Sequence, residues 1–207
     1  KIEVMVPLAV PAPHGNPSQA ELEHVRRKYA LPEHFILMIG TVESRHNHQA
    51  VFAALADVAS PAGVVVCGRR TAWSDYLLGY ARARRIAARV DFIYELTPSD
   101  LPALFRLARV FAYLPDADAE ASVVPVVEAL RAGLPMVLSD TQVNREAAGE
   151  AAAYVRPEAR GEVLAALENA LEDVSWRRTM QERERRRAEL FSEYAVAERL
   201  MQIYTSL

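Results

Sequence analysis

Glu120-Ala-Ser-Val-Val-Pro125-Val-Val-Glu128-Ala-Leu-Arg-Ala-Gly133-Leu-Pro135-Met-Val-Leu138 reads as loop, short helix, stop and strand in succession. Pro125 suits a first helical turn, where its missing N–H is not needed. Gly133 suits the left-handed residue after the last turn, and Pro135 prevents continuation. Met136–Leu138 is an apolar run short enough to be a buried strand. The spacing therefore predicts a helix over 125–132. It places Glu128 inside that helix and Glu120 in the loop before it. Both carboxylates, with the open N–H groups of the helix start, can face one crevice. Such a crevice suits a ligand carrying hydroxyls and phosphates.

The same alternation extends in both directions. Strands are expected at Phe35–Ile39, Val64–Cys67, Asp91–Tyr94, Val110–Tyr113, Met136–Leu138 and Tyr154–Val155. Helices are expected at Gln49–Ala59, within Ser74–Ala88, at Ser99–Arg109 with Ser99 as N-cap, and at 161–172. The strands are continuous apolar runs rather than alternating ones. Strands buried on both faces look like that, so the fold class is α/β, a Rossmann-like parallel sheet flanked by helices. Ligands in such sheets bind beyond the carboxyl ends of the strands, where Gly40, Gly68, Tyr94 and residues 114–124 fall.

The stretch Glu120 to Pro135 resembles the signature of the GT-B glycosyltransferases, in particular the large retaining family four. Leu31-Pro-Glu-His-Phe-Ile-Leu-Met-Ile-Gly40-Thr-Val-Glu43-Ser-Arg45-His46-Asn47 looks like the opening strand and first loop of that family's donor-binding domain. Val90–Tyr94, Asp100–Ala108 and Ser139–Gly149 continue the likeness in order, over nearly the whole chain. The resemblance implies the C-terminal half of a GT-B fold. It implies transfer of a sugar from a nucleotide-diphosphate sugar to an acceptor glycan or lipid-linked glycan, in cell-surface polysaccharide or lipopolysaccharide biosynthesis. No cofactor is implied, because the nucleotide sugar is itself the donor substrate, and no metal is required.

By the same resemblance Glu128 meets the ribose hydroxyls and Glu120 approaches the donor sugar. Arg45 and His46 neutralise the diphosphate leaving group, with Glu120, Arg45 and His46 forming the catalytic set. Gly40, Thr41, Tyr94, Ser122, Val123, Val124 and Glu128 form the nucleotide-binding set, Tyr94 through its backbone at the base. Three positions depart from the family pattern. Ala121-Ser122-Val123 replaces the usual Gly-Phe-Gly, whose bare backbone closes on sugar and phosphate. Thr41 takes a place often held by arginine, and His46 that of the usual lysine. A histidine carries full charge only near or below its ordinary pKa of about 6.5.

Other readings of single residues are blander. His46 is alternatively an exposed loop residue, and Tyr94 a core tyrosine. Glu43, His46 and His48 lack a closing metal-ligand set. Arg69 and Arg70 read as surface. Asn144-Arg145-Glu146 looks like the family loop near the sugar, with Glu146 capping the adjacent short helix.

A length of 207 residues allows one sizeable core. A net charge of -3 gives no large footprint for nucleic acid. No apolar run approaches bilayer length. Cys67, the single cysteine, reads as a buried small hydrophobe and excludes an intramolecular disulfide, in keeping with a cytoplasmic location. Lys1 stands where an initiator methionine would, as expected of a fragment or a processed chain. The organisation expected is an interdomain linker at 1–17, rich in proline, a donor-binding domain at 18–175, and a helical tail at 176–207. By the resemblance an N-terminal acceptor domain is missing, and the chain alone is then inactive. Gln181–Arg187 reads as a solvated helix face, or as a peripheral contact with the inner face of the membrane through Arg185–Arg187. Two rival functions stay open: a non-catalytic nucleotide-binding module, and an unrelated Rossmann-like interaction domain. No Gly-x-Gly-x-x-Gly follows the first strand, which argues against a dinucleotide cofactor.

Overall fold

The computed structural model describes residues 16–117 and 122–205. Its six strands are β1 (Phe35–Ile39), β2 (Gly63–Cys67), β3 (Val90–Ile93), β4 (Val110–Tyr113), β5 (Met136–Ser139) and β6 (Ala153–Val155). They form one sheet in the order β3-β2-β1-β4-β5-β6, with every neighbouring pair parallel. Leu37 pairs with Val65 on one side and Phe111 on the other, so β1 lies inside the sheet. Successive residues of each strand point to opposite faces. Phe35, Leu37, Phe111, Tyr113, Met136 and Leu138 enter one core; Ile36, Met38, Val110, Ala112 and Val137 enter the other. Both faces are covered, which is why the strands read as unbroken apolar runs.

Helices α1 (Gln19–Lys28), α4 (Leu101–Leu107), α5 (Val124–Ala132) and α6 (Gln142–Ala148) supply the first core. Helices α2 (His48–Leu55), α3 (Ala72–Ala83) and α7 (Arg160–Glu172) supply the second. Helix α8 (Val174–Ala188) starts directly after α7 and packs on α5, and α9 (Glu193–Thr205) follows a short turn. None of these helices is long and apolar enough to cross a membrane.

Several boundaries differ from expectation, each for a local reason. Helix α1 has no counterpart in the sequence reading, yet Ser18 and Glu21 form a reciprocal capping box at its start. Helix α2 stops at Leu55 rather than Ala59, because the chain turns at Asp57 and Pro61 pushes Ser60 out of helical geometry. Ser99 is not the N-cap of α4: Pro98–Asp100 form a 3-10 turn, and Asp100 is drawn to Lys28 at 2.7 Å and Tyr29 at 2.9 Å. Residues 181–187 are not wholly a solvated face. Arg177, Met180 and Glu184 turn inward on α8, and Arg187 donates to the carbonyls of Glu146 and Ala147. The linker reading falls outside the described residues for 1–15.

Candidate functional site

Strand order reverses between β1 and β4, and in open parallel sheets the ligand crevice lies beyond the carboxyl ends of the strands at such a point. The loop after β1 forms one wall. Gly40 has φ 141, a conformation side chains rarely adopt, and its N–H donates to Cys67 O at 3.0 Å. Val42 N–H reaches Arg69 O at 3.1 Å, and the Thr71 hydroxyl donates to the Val42 carbonyl. The loop after β1 is thus sewn to the loop after β2.

A 3-10 turn, Ser44–His46, and left-handed Asn47 (φ 52) carry that loop into α2. Asn47 is its tie to the other wall. Its side-chain amide donates to Leu114 O at 2.9 Å and to Asp116 Oδ1 at 2.6 Å, while Asp116 N–H donates to Arg45 O at 2.8 Å. Ser139 Oγ in turn donates to Pro115 O at 2.8 Å, and Asn144 Nδ2 donates to Ser139 O at 2.9 Å. Four loops are therefore held in one network.

The expected site residues distribute as follows. Arg45 is half exposed and ion-paired with Glu43 at 2.7 Å; Glu43 also faces Arg69 at 3.7 Å. Arg45 lies in the crevice wall with its charge shared. His46 is only 5% exposed, which corrects the exposed-loop alternative. Its Nδ1 lies 2.7 Å from Thr41 O. A carbonyl can only accept, so Nδ1 carries the hydrogen, and Nε2 faces Gly40. His48 is 1% exposed, and burial, with the neighbouring His46 charge adding, pushes its pKa down to about 4. His48 is a neutral core residue. No group of three or more potential ligands able to hold a metal occurs among the described residues.

Across the crevice, α5 begins at Val124 with no side-chain cap among the described residues, and the first N–H groups of a helix have no partner within it. Ser122 and Val123 lead into it, and Ser122 is exposed. Gly133 ends α5 in the left-handed conformation at φ 62, as expected. Glu128 is half-buried and has no hydrogen bond or ion pair among the described residues. Burial raises its pKa. Glu120 lies outside the described residues.

Farther along the same edge, Cys67, Gly68, Arg69, Arg70, Ile93, Tyr94, Glu95 and Leu96 line a recess of about 450 Å³. Strand β3 ends at Ile93, so the Tyr94 backbone is already loop, and Arg70 lies 5.7 Å from the Tyr94 ring centroid. Cys67 is buried, and that burial pushes its thiol up to about 11. Arg69 and Arg70 are exposed. Asn144 is buried, and Thr141 rather than Glu146 caps α6; Glu146 accepts from Gln142. The roles of Asn47, Asp116, Ser139 and Asn144 as loop ties were not assigned from the sequence. The one local signal is Asn47 itself, since asparagine adopts the left-handed backbone more readily than other side-chain-bearing residues.

Comparison with known proteins agrees with the fold. The profile of the family described as Glycosyl transferases group 1 matches residues 21–187. An O-antigen chain mannosyltransferase B from Escherichia coli is 28% identical over 181 residues, 84% of this chain and 47% of that protein. The chain thus spans about half the length of this relative. Among solved structures, a glycosyltransferase from Rickettsia africae superposes with TM-score 0.81 at 15% identity, over 92% of this chain and 52% of that one. The Anabaena protein HepE in complex with UDP and glucose superposes with TM-score 0.78 at 16% identity, over 92% and 53%.

Proposed function

The chain belongs to the group 1 glycosyl transferases, and from that premise we propose that it is the donor-binding half of a retaining enzyme. The enzyme moves a sugar from a nucleotide-diphosphate sugar to an acceptor glycan of a cell-surface polysaccharide. One observation carries the reading. Where strand order reverses, half-buried Glu128 has no partner among the described residues, and it lies in the helix whose uncapped start meets the crevice.

In this reading the Glu128 carboxylate accepts from the two ribose hydroxyls. The N–H groups of Val123 and Val124, with the backbone of Gly40 and Thr41, close on the diphosphate. Arg45 and His46 offset the charge that develops as the diphosphate leaves, the main electrostatic task of such a transfer. Glu120 approaches the sugar. The Tyr94 backbone meets the base. The acceptor attacks on the face the leaving group vacates, and a second domain is needed to position it and exclude water. The relative's O-antigen role supports a cell-surface product; in this reading it is made at the cytoplasmic face of the membrane.

The Arg45–Glu43 ion pair favours a second reading, a nucleotide-binding module without transfer activity. Ligand-observed NMR against UDP, GDP, ADP and CMP, with Glu128→Ala as control, tests the donor site. A hydrogen bond to a charged group contributes roughly 1.5–3 kcal/mol, so the variant should bind about tenfold or more weakly. Unchanged affinity in a folded variant would remove the assignment. Transfer by an enzyme carrying both halves separates the two readings.

A further inference from the structure

The recess beyond β2 and β3 is lined by three charged side chains, Arg69, Arg70 and Glu95, and the two arginines are engaged. Arg70 is ion-paired with Asp75 at 2.8 Å, and Arg69 faces Glu43 at 3.7 Å. Glu95 lines the same recess and has no hydrogen bond or ion pair among the described residues. Buried Cys67 and Ile93 make part of the wall apolar, a surface on which a flat ring can rest. About 450 Å³ is ample for a bicyclic base.

We propose that Glu95 selects guanine, so that the donor is a guanosine-diphosphate sugar. The inference rests on the donor-site reading above. A carboxylate can only accept, with two oxygens side by side. Among the common bases guanine alone presents two adjacent donors, N1–H and N2–H2, on one edge. Uracil offers a single N–H flanked by two carbonyls, which a carboxylate repels. Adenine and cytosine each set a ring-nitrogen acceptor beside the amino donor. The remaining guanine acceptors, O6 and N7, are the groups arginine pairs with most readily, and Arg69 and Arg70 border the same recess. A site built to bond a donor rejects analogues that lack it.

The test titrates GDP, IDP, UDP and ADP into the wild-type chain, Glu95→Ala and Glu95→Gln. IDP lacks only the N2 amino group. GDP should bind at least tenfold more tightly than UDP, ADP or IDP. Glu95→Ala should weaken GDP by about tenfold and collapse the GDP-to-IDP ratio, while UDP changes less than twofold. Glu95 is exposed, so both variants should melt as the wild type does. Tighter UDP than GDP, with binding that depends on Glu128, overturns the guanine assignment and leaves the donor site standing. A GDP-to-IDP ratio unchanged in both variants also overturns it. No binding of any nucleotide overturns both readings.

Discussion

The carbonyl oxygen of Gly40 lies 1.8 Å from the place a β-carbon on Gly68 would occupy. The loops after β1 and β2 therefore touch backbone to backbone, and a side chain at 68 must displace the crevice wall. Gly68→Ala should destabilise by about 1–3 kcal/mol, the range for inserting atoms where nothing can give. It should also weaken nucleotide binding, because Gly40 and Thr41 move. Gly79 provides the control: it sits in α3, and a β-carbon there would meet nothing within 4 Å. Gly79→Ala should stabilise by roughly 0.5–1 kcal/mol. Denaturant midpoints of the two variants should shift in opposite directions. A neutral Gly68→Ala would refute the contact.

Asn47 joins the two crevice walls through bonds to Leu114 and Asp116, and it does so from a left-handed backbone. The two contributions can be separated. Asn47→Gly keeps the backbone and loses the bonds, at about 1 kcal/mol each. Asn47→Ala loses both and should be less stable than Asn47→Gly, since alanine pays for the left-handed region. Nucleotide affinity should fall in both, because the wall carrying Arg45 is no longer tied to the wall leading into α5. Equal stability of the glycine and alanine variants would show that the backbone conformation contributes nothing.

Those two relationships also mark where the sequence stops being readable. Phe35–Ile39 and Val110–Tyr113 were legible to the residue, because a strand buried on both faces has a purely local signature. Gly133 was legible for the same reason: Gly followed by Leu-Pro after an apolar helix leaves one conformation. Helix α1 was missed since only Val25 is buried on it, although its capping box stood in plain sequence. Gly68 against Gly40 and Asn47 against Asp116 join residues far apart in the chain, and no periodicity encodes such contacts. Glu184 was hidden differently. In a run of mixed charges it looks like solvated surface, and only the packing of α8 on α5 turns it inward.

Glu128 gives the donor site a pH signature. Burial raises its pKa above the usual glutamate value. The ionised form, with two charged acceptor oxygens and no hydrogen of its own, is the stronger acceptor for the two hydroxyls of a ribose. Nucleotide affinity should therefore fall on acidification, beginning at a higher pH than an ordinary exposed glutamate would cause. Diphosphate protonation also weakens binding at low pH, so the comparison is with Glu128→Gln, in which only that component remains. Isothermal titration of both proteins from pH 8 to pH 5 isolates the glutamate. Parallel curves would mean that Glu128 does not meet the nucleotide.

Glu184 is 0% exposed, and neither carboxylate oxygen has a hydrogen-bond partner among the described residues. Burial pushes its pKa up to about 8, against a small opposing pull from Arg185. The folded chain therefore holds a proton here that the unfolded chain releases near pH 4.5. A raised carboxyl pKa contributes stability that is fully present below the unfolded value and is lost as pH rises through the folded one. Stability should decline from about pH 4.5 to about pH 8, by up to about 1.4 kcal/mol per pH unit from this group. Glu184→Gln cannot titrate, so its melting temperature should lack that component and exceed the wild type's at pH 8. Glu184→Leu should do the same without a polar atom to bury. Equal pH slopes in wild type and Glu184→Gln would place this side chain in water rather than between α8 and its neighbours.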